Sequence, residues 1–536
     1  MEAHSTYISQ TRAATVLLAT SMVLLAFAIR AVSLEAQSLW RDEVDALCYA
    51  FGFSQALAEA VEPGSTANAL EPPCACPPTP IPLIGHTDTP LPTRLSQTLR
   101  EMVRNNGPLY YLLLRIWLAS AGTSVTALRF FSLWFGVLGV PLTYALGRRL
   151  LDRTTGLVAA LLTATSPYLV WYGQEAKMYT LLPTLALLAI YALRRAVEGQ
   201  GVRWWITQIA ATSLALYTHI WSALLIPIQA VLFLTWWPRS RRRWLGGLVS
   251  LVLLTLPYLP LATWEVRRVF VRQETGFPSH SLGEMASILL KSWSTGLSGW
   301  NWKWGAAASG GAALLGLASA LLGRRQARSQ RTAIGLVGWM ALPVIGIWFV
   351  SLWQPLFTDR YLIWAAPAFY LLAGAGLAFL WQHGRWPALP LLTAVLLLFA
   401  GNLWSQATTP LKSDLRAAAA YVEERYEEGD LLIFQIPRVH STFDCYFLPS
   451  DYAWADGLYT NHLLPDGSYR MSAEESAAWM RVITRGYPRV WLVASETEMW
   501  DRRHLVEGWL EANNAQVEKV GFAWVEVHLY EMDRPP

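Results

Sequence analysis

The feature that most constrains this chain is a series of apolar runs, each near the length that crosses a hydrocarbon core. A helix needs about 20 mostly apolar residues to do so. Eleven runs reach or approach that length: 13–34, 125–147, 154–171, 178–194, 204–220, 221–237, 245–262, 304–323, 332–352, 361–381 and 387–404. Composition agrees. Of 536 residues, 54% are hydrophobic and 15% charged, with a mean hydropathy of +0.29, whereas soluble domains carry about 25% charged residues. Trp117, Trp171, Trp204, Trp205, Trp236, Trp237, Trp353, Trp364 and Trp404 fall near run ends, where aromatic belts form at the membrane–water interface.

Charge orients the runs. "RRLLDR" (148–153), "RRAVEGQGVR" (194–203), "RSRRR" (239–243), "RRQARSQR" (324–331) and "HGR" (383–385) alternate as cytoplasmic loops if the N-terminus is inside. "PLYYLLLRIWLAS" (108–120) would reverse every later loop if it crossed. It is short and carries Arg115 at its centre, so it is read as an interfacial or re-entrant helix on the outer face. The first run follows Arg12 and lacks a small-residue cleavage site, so it reads as a retained anchor. Outer regions then cover about 35–124, 171–179, 263–303 and 353–361. The first contains the Pro-rich stretch "EPPCACPPTPIPLIGHTDTPLP" (71–92), an extended loop by composition.

Beyond Trp404 the periodicity changes. Residues 1–410 hold 30 Lys and Arg against 17 Asp and Glu, and residues 411–536 hold 12 against 21. Helical patterns at 414–430, 473–486 and 502–514 alternate with strand patterns at 431–437, 489–495 and 524–531, which implies a small α/β domain. The expected fold class is an α-helical polytopic membrane protein of about 11 transmembrane helices, with interfacial helices in a long first outer loop. A C-terminal extracytoplasmic α/β domain completes it. The division falls at 1–410 and 411–536, with the plasma membrane as location. Basic residues are dispersed between the runs, so nucleic acid is excluded as a partner. Cys48, Cys74, Cys76 and Cys445 all fall in outer regions; disulfides and thiols both fit, and three full pairings are open.

Three carboxylates, Asp42, Glu43 and Asp45, crowd "SLWRDEVDALCYAFG" (38–52) just after the first run. One reading is structural: Asp42 caps an amphipathic helix, Asp45 is a box-like partner, and the acids complement the macrodipole. The other is chemical and needs partners. "WYGQEAKMY" (171–179) offers Glu175 and Lys177, "FTDRY" (357–361) offers Asp359 and Arg360, and "YTHI" (217–220) offers His219. All fall on the outer side. Carboxylates there can deprotonate a hydroxyl or ligate a divalent ion, and cations can stabilise a phosphate.

These residues resemble a known family. "WRDE" (40–43), "NGPLYYLLL" (106–114), "LRFFSLWFGVLGVPLTYALGRRL" (128–150), "GLVAALLTATSPYLVWYGQEAKMYTLL" (156–182) and "DRYLIWAAPAFYLL" (359–372) together are similar to the polytopic glycosyltransferases of the C-type fold. The closest branch is that of the protein O-mannosyltransferases and the lipid A aminoarabinose transferases. The resemblance implies transfer of a sugar from a polyprenyl-phosphate carrier to a lipid, glycan or protein acceptor outside the cytoplasmic membrane. It maps the catalytic acid to Asp42, with Glu43 beside it. It maps the donor phosphate and sugar set to Glu175, Lys177, Arg360 and Tyr361, with Tyr179 and His219 alongside. No cofactor is fixed; Mg²⁺ or Mn²⁺ held by Asp42 and Glu175 is open. Two departures stand out. The family's His-Pro-Pro becomes Asn106, Gly107 and Pro108, and the Cys/Pro-rich insert is foreign to the family. A transporter or flippase of a lipid-linked or amphipathic solute is the competing class. It fits less well, because charges gather at outer run ends rather than at the midplane; Arg30 and Arg115 are the exceptions, and both have stems long enough to snorkel.

Overall fold

A computed structural model describes residues 2–51, 108–238, 240–259, 262, 277–322, 327–436, 439–449, 451–464, 467–513 and 515–532. Two compact units divide them. One comprises Met1–Leu34, Met102–Trp117 and Thr126–Thr408, and the other Glu35–Glu101, Leu118–Val125 and Thr409–Pro536. Of the first outer loop, residues 35–51 and 118–124 group with the tail, and 108–117 group with the apolar runs. The Pro-rich stretch, Cys74, Cys76, Asn106 and Gly107 lie outside the described residues.

The first unit is helical, and every apolar run carries helix. Among the described residues, Val125–Leu150, Trp302–Leu322, Ser329–Ser351, Asp359–His383 and Arg385–Thr408 are long and apolar enough to cross a membrane. Other runs are shorter or broken. The run expected as one span at 154–171 is two helices, Arg153–Thr165 and Pro167–Gly173. Pro167 has no N–H to continue the first helix, and Ser166 caps the second by accepting from the Leu169 N–H at 3.3 Å. Pro108–Ala121 is a helix of 14 residues, about 21 Å long and too short to span.

Two expectations about polar and aromatic groups change. Arg30 does not snorkel: it is fully buried. Its guanidinium donates to the carbonyls of Ala26, Ala164 and Thr163 at 3.1, 2.9 and 3.2 Å, which satisfies the C-terminal end of the Arg153–Thr165 helix. A Cβ at Gly136 or Gly173 would come within 3.1 Å of its side chain, so two glycines make room for it. Trp171 and Trp364, expected in an interfacial belt, are buried; Trp237, Trp353 and Trp404 are exposed.

The second unit contains a five-stranded mixed sheet of order β2-β1-β3-β5-β4: β1 (Leu431–Phe434), β2 (Ala453–Asp456), β3 (Arg489–Ser495), β4 (Ala515–Phe522) and β5 (Val525–Glu531). β1 runs parallel to β2 and β3, and β5 is antiparallel to β3 and β4. Leu432, Phe434, Trp491 and Val493 on one face pack with Leu415, Ala418 and Val422 of the Leu415–Glu423 helix. Leu431, Ile433, Val490 and Leu492 on the other pack with Met480, Val506 and Leu510. Strands β2 and β4 escape the sequence pattern. β2 has four residues, all half-buried, and β4 has much of its surface exposed, so neither reads as a buried run.

Candidate functional site

In the first unit, six predicted site residues gather where helices begin or end. Glu175, Lys177 and Tyr179 lie between the Pro167–Gly173 and Leu181–Val197 helices. Arg360 and Tyr361 open the segment Asp359–Ala365, which leads into Ala366–His383. His219 precedes the Ile220–Leu224 turn.

The loop of Glu175 and Lys177 is fixed from beneath. Gln174 Nε2 donates to the Arg30 carbonyl and to Ser33 Oγ, both at 2.9 Å. The Lys177 N–H donates to the Glu175 carbonyl at 2.8 Å, and the Lys177 carbonyl accepts from Ser132 Oγ at 3.1 Å. Ser132 is shared with the Tyr110 hydroxyl at 2.8 Å, and its carbonyl accepts from Thr180 Oγ1 at 2.7 Å. Glu175 and Lys177 are therefore buried, at 2% and 7% exposure, on a backbone with little freedom.

Aromatic faces hold the cations. Lys177 Nζ lies 5.8 Å from the Tyr111 ring centroid, and Arg360 Cζ lies 5.9 Å from Tyr179 and 6.0 Å from Tyr361. His219 packs on Tyr361 with centroids 5.1 Å apart, while its Nδ1 accepts from the Trp221 N–H at 3.2 Å. Cation–π contacts orient a charge without cancelling it. Such a setting suits a phosphate, which Arg grips in bidentate fashion and Lys meets as a point charge.

Asp359 belongs to the cluster and was not in the predicted donor set. Its Oδ1 accepts from the Arg360 N–H at 2.9 Å and lies 3.4 Å from the Tyr172 hydroxyl. Its carbonyl accepts from the Tyr168 hydroxyl at 2.8 Å. Tyr168 and Tyr172 stand one helical turn apart, and Tyr172 meets Tyr179 at 5.3 Å. Their i, i+4 spacing in "PYLVWY" was the available signal, concealed by the reading of that stretch as the end of a span.

Asp42 and Glu43 belong to the second unit. They sit in the first turn of the Arg41–Phe51 helix. Trp40, not Asp42, starts that helix: its carbonyl accepts from the N–H groups of Glu43 and Val44 at 2.9 and 3.3 Å. The capping role considered for Asp42 is therefore not the one it plays. Glu43 is fully buried and pairs with Lys412 at 3.1 Å. Cys48 is disulfide-bonded, and the Cys445 thiol donates to the Ser441 carbonyl at 3.5 Å.

Comparison with known proteins follows this geometry. Residues 105–264 match the family model described as dolichyl-phosphate-mannose-protein mannosyltransferase. No curated protein sequence matches. Among solved structures, ArnT from Cupriavidus metallidurans in the apo state aligns with a TM-score of 0.57 at 13% identity, over 95% of this chain and 97% of that one. The same protein bound to undecaprenyl phosphate gives 0.56 at 13% identity, over 96% and 98%. The oligosaccharyltransferase AglB from Archaeoglobus fulgidus, in complex with an inhibitory peptide and a dolichol-phosphate, gives 0.54 at 10% identity, over 97% of this chain and 74% of that one. The chain has the C-type glycosyltransferase fold. It is a multi-pass membrane protein that resembles ArnT and the protein mannosyltransferases. The structural alignments extend over at least 95% of the chain, whereas the family model matches residues 105–264.

A metal ligand set is visible elsewhere. Among the described residues, Glu507, Glu526 and His528 bring three ligand atoms within 4.8 Å of one another. There Lys519 Nζ contacts both carboxylates at 3.1 Å and supplies the positive charge itself.

Proposed function

We propose that this protein is a membrane glycosyltransferase that moves a sugar from a polyprenyl-phosphate carrier to an acceptor hydroxyl. In this reading about eleven helices cross the plasma membrane, the N-terminus is cytoplasmic, and the chemistry and the tail lie on the outer face. The orientation rests on the distribution of Lys and Arg between the runs.

The observation that carries the proposal is the pairing of Lys177 and Arg360 with tyrosine faces, with buried Glu175 on the loop of Lys177 and half-buried Asp359 next to Arg360 in sequence. Asp42 is the general base. The acceptor oxygen attacks the anomeric carbon as its proton passes to the Asp42 carboxylate. The bond from that carbon to the carrier phosphate breaks with inversion, and the electron pair leaves on the phosphate. Lys177 and Arg360 stabilise the charge that grows there, a term often worth 10²–10³ in rate per donor. An aligned base adds about 10²–10⁴. Glu175 and Tyr179 orient the sugar, and Tyr361 and His219 orient Arg360. Support for a lipid-phosphate donor comes from the resemblance to ArnT, one of whose structures holds undecaprenyl phosphate.

The test uses the full chain in lipid nanodiscs, as wild type and Asp42→Asn, with a panel of polyprenyl-phosphate sugars and envelope acceptors. Release of free polyprenyl phosphate by the wild type, reduced at least a hundredfold in Asp42→Asn, supports the proposal. Equal release by both moves the base elsewhere. Transport of an intact lipid-linked sugar without release would replace the transferase reading.

A further inference from the structure

Residues 35–43 and 409–446 belong to one compact unit, and polar contacts join them at several points. Gln37 holds both sides of the chain leaving the last apolar helix. Its Nε2 donates to the Thr409 carbonyl and its Oε1 accepts from the Leu411 N–H, each at 3.0 Å. Arg416 donates to the Glu35 carbonyl at 3.3 Å, and the Tyr446 hydroxyl accepts from the Leu39 N–H at 2.8 Å. At the centre, Lys412 Nζ donates to Glu43 Oε2 at 3.1 Å. The two side chains are 6% and 0% exposed, and the ammonium lies 5.3 Å from the Trp40 ring centroid.

We propose that Lys412, at the root of the tail, is a positioning residue that acts through Glu43 to set the orientation of Asp42. The proposal rests on the reading of Asp42 as the base. Its physical content is geometric. Asp42 and Glu43 are neighbours in the first turn of one helix, so their side chains project about 100° apart around its axis. Glu43 is fully buried and tied to a fixed cation, whereas Asp42 is half-buried. Holding Glu43 therefore fixes the rotation of the turn and the direction in which Asp42 projects. Removing one partner of a buried pair is strongly destabilising for the other. A displacement of about 1 Å in a catalytic group can cost 10²-fold. The tail thereby acquires a part in catalysis: it carries the cation that sets the helix of the base.

The experiment measures steady-state release of polyprenyl phosphate by the full chain in nanodiscs for the wild type, Asp42→Asn, Lys412→Met, Lys412→Arg, Glu43→Gln and the double variant Glu43→Gln/Lys412→Met. Thermal melts and donor binding give the folded fraction. Lys412→Met is expected to lower kcat by about 10- to 100-fold, with the donor KM within about twofold of the wild type. Lys412→Arg, which retains the cation, should recover to within about threefold. Because Lys412 acts through Glu43, adding Lys412→Met to Glu43→Gln should cost less than about threefold more. The double variant removes both charges of the pair, so it serves even if Lys412→Met fails to fold. A normal kcat for Lys412→Met beside an inactive Asp42→Asn overturns the positioning role and leaves the base reading standing. Losses that simply multiply in the double variant, or no recovery with Arg, also overturn it. An active Asp42→Asn overturns the base reading itself.

Discussion

The guanidinium of Arg360 lies 5.9 Å from the centroid of Tyr179, on a loop that also carries Glu175 and Lys177. The ring helps to fix where the charge stands. Replacing Arg360 with Ala should lower kcat/KM for polyprenyl phosphate release by about 10²–10³. Arg360→Lys should retain more activity yet fall about tenfold short of wild type, because an ammonium lacks the planar fork. Steady-state kinetics in nanodiscs read both. Equal activity in all three proteins would remove Arg360 from the donor phosphate.

His219 has two separable contacts, a cap and a ring. Its Nδ1 accepts from the Trp221 N–H, and its ring lies against Tyr361. Asn caps well and Phe does not. His219→Asn should therefore keep thermal stability and lose turnover as Tyr361 loosens. His219→Phe should lose about 1 kcal/mol of stability and keep turnover within about threefold. Melting curves beside turnover distinguish the roles, and a reversed order would show that the ring contact is incidental.

The parts legible in the sequence were those set by local pattern. Apolar period marked each helix-bearing run, the polar residues at run ends pointed to Glu175, Lys177, Arg360 and His219, and the resemblance added Tyr179 and Tyr361; the fold sets Arg360 near both tyrosines and His219 against Tyr361. The parts concealed depend on distant partners. Arg30 looked able to reach water because nothing nearby in sequence announces Gly136, Gly173 and two carbonyls as its surroundings. Glu43 looked like a companion to a catalytic acid, and its partner Lys412 is 369 residues away. Tyr168 and Tyr172 fall at the end of the 154–171 run, which reads as one span, whereas the break at Ser166 and Pro167 starts a second helix whose tyrosines meet Asp359.

The tail carries opposing proton linkages. Burial pushes the Asp444 carboxyl up to about 6, only partly offset by the Tyr452 hydroxyl that donates to it. The folded state then binds this proton more tightly than the unfolded chain. The contribution is full below the ordinary carboxylate value and is lost as pH rises through about 6. Burial pushes His528 down from its ordinary value, so its contribution is present above 6.5 and is lost as pH falls. Lys519 holds Glu526 low, and Lys519 with His504 holds Glu507 low against its partial burial; these two contributions are lost only at more acidic pH. Asp444→Asn should thus stabilise the tail by up to ~2 kcal/mol at pH 7.5 and have little effect near pH 4. Hydrogen exchange of peptides from β1, β3 and β5 in the full chain reads this. A gain that is the same at both pH values would refute the buried-acid assignment.

One helix crossing in the first unit leaves no room for a side chain. A Cβ at Gly316 would stand 2.0 Å from the Leu372 carbonyl oxygen, and one at Gly376 would stand 2.0 Å from that of Ala312. These are backbone atoms, so the Gly311–Leu322 and Ala366–His383 helices must separate to admit even a methyl group. Within a membrane, close approach of backbones at small residues is a main source of helix association. Gly316→Ala and Gly376→Ala should each cost at least ~1–3 kcal/mol, the range for overpacking, and should lower the fraction of protein that survives heating in detergent. Gly311→Ala on the same helix is the control. Nothing lies within 4 Å of its added Cβ, and Ala favours helix over Gly by about 1 kcal/mol. It should therefore survive heating as well as wild type or better. If Gly316→Ala melts with Gly311→Ala, the crossing tolerates separation, and the close packing of these two helices is not what holds the entry to the Arg360 segment in place.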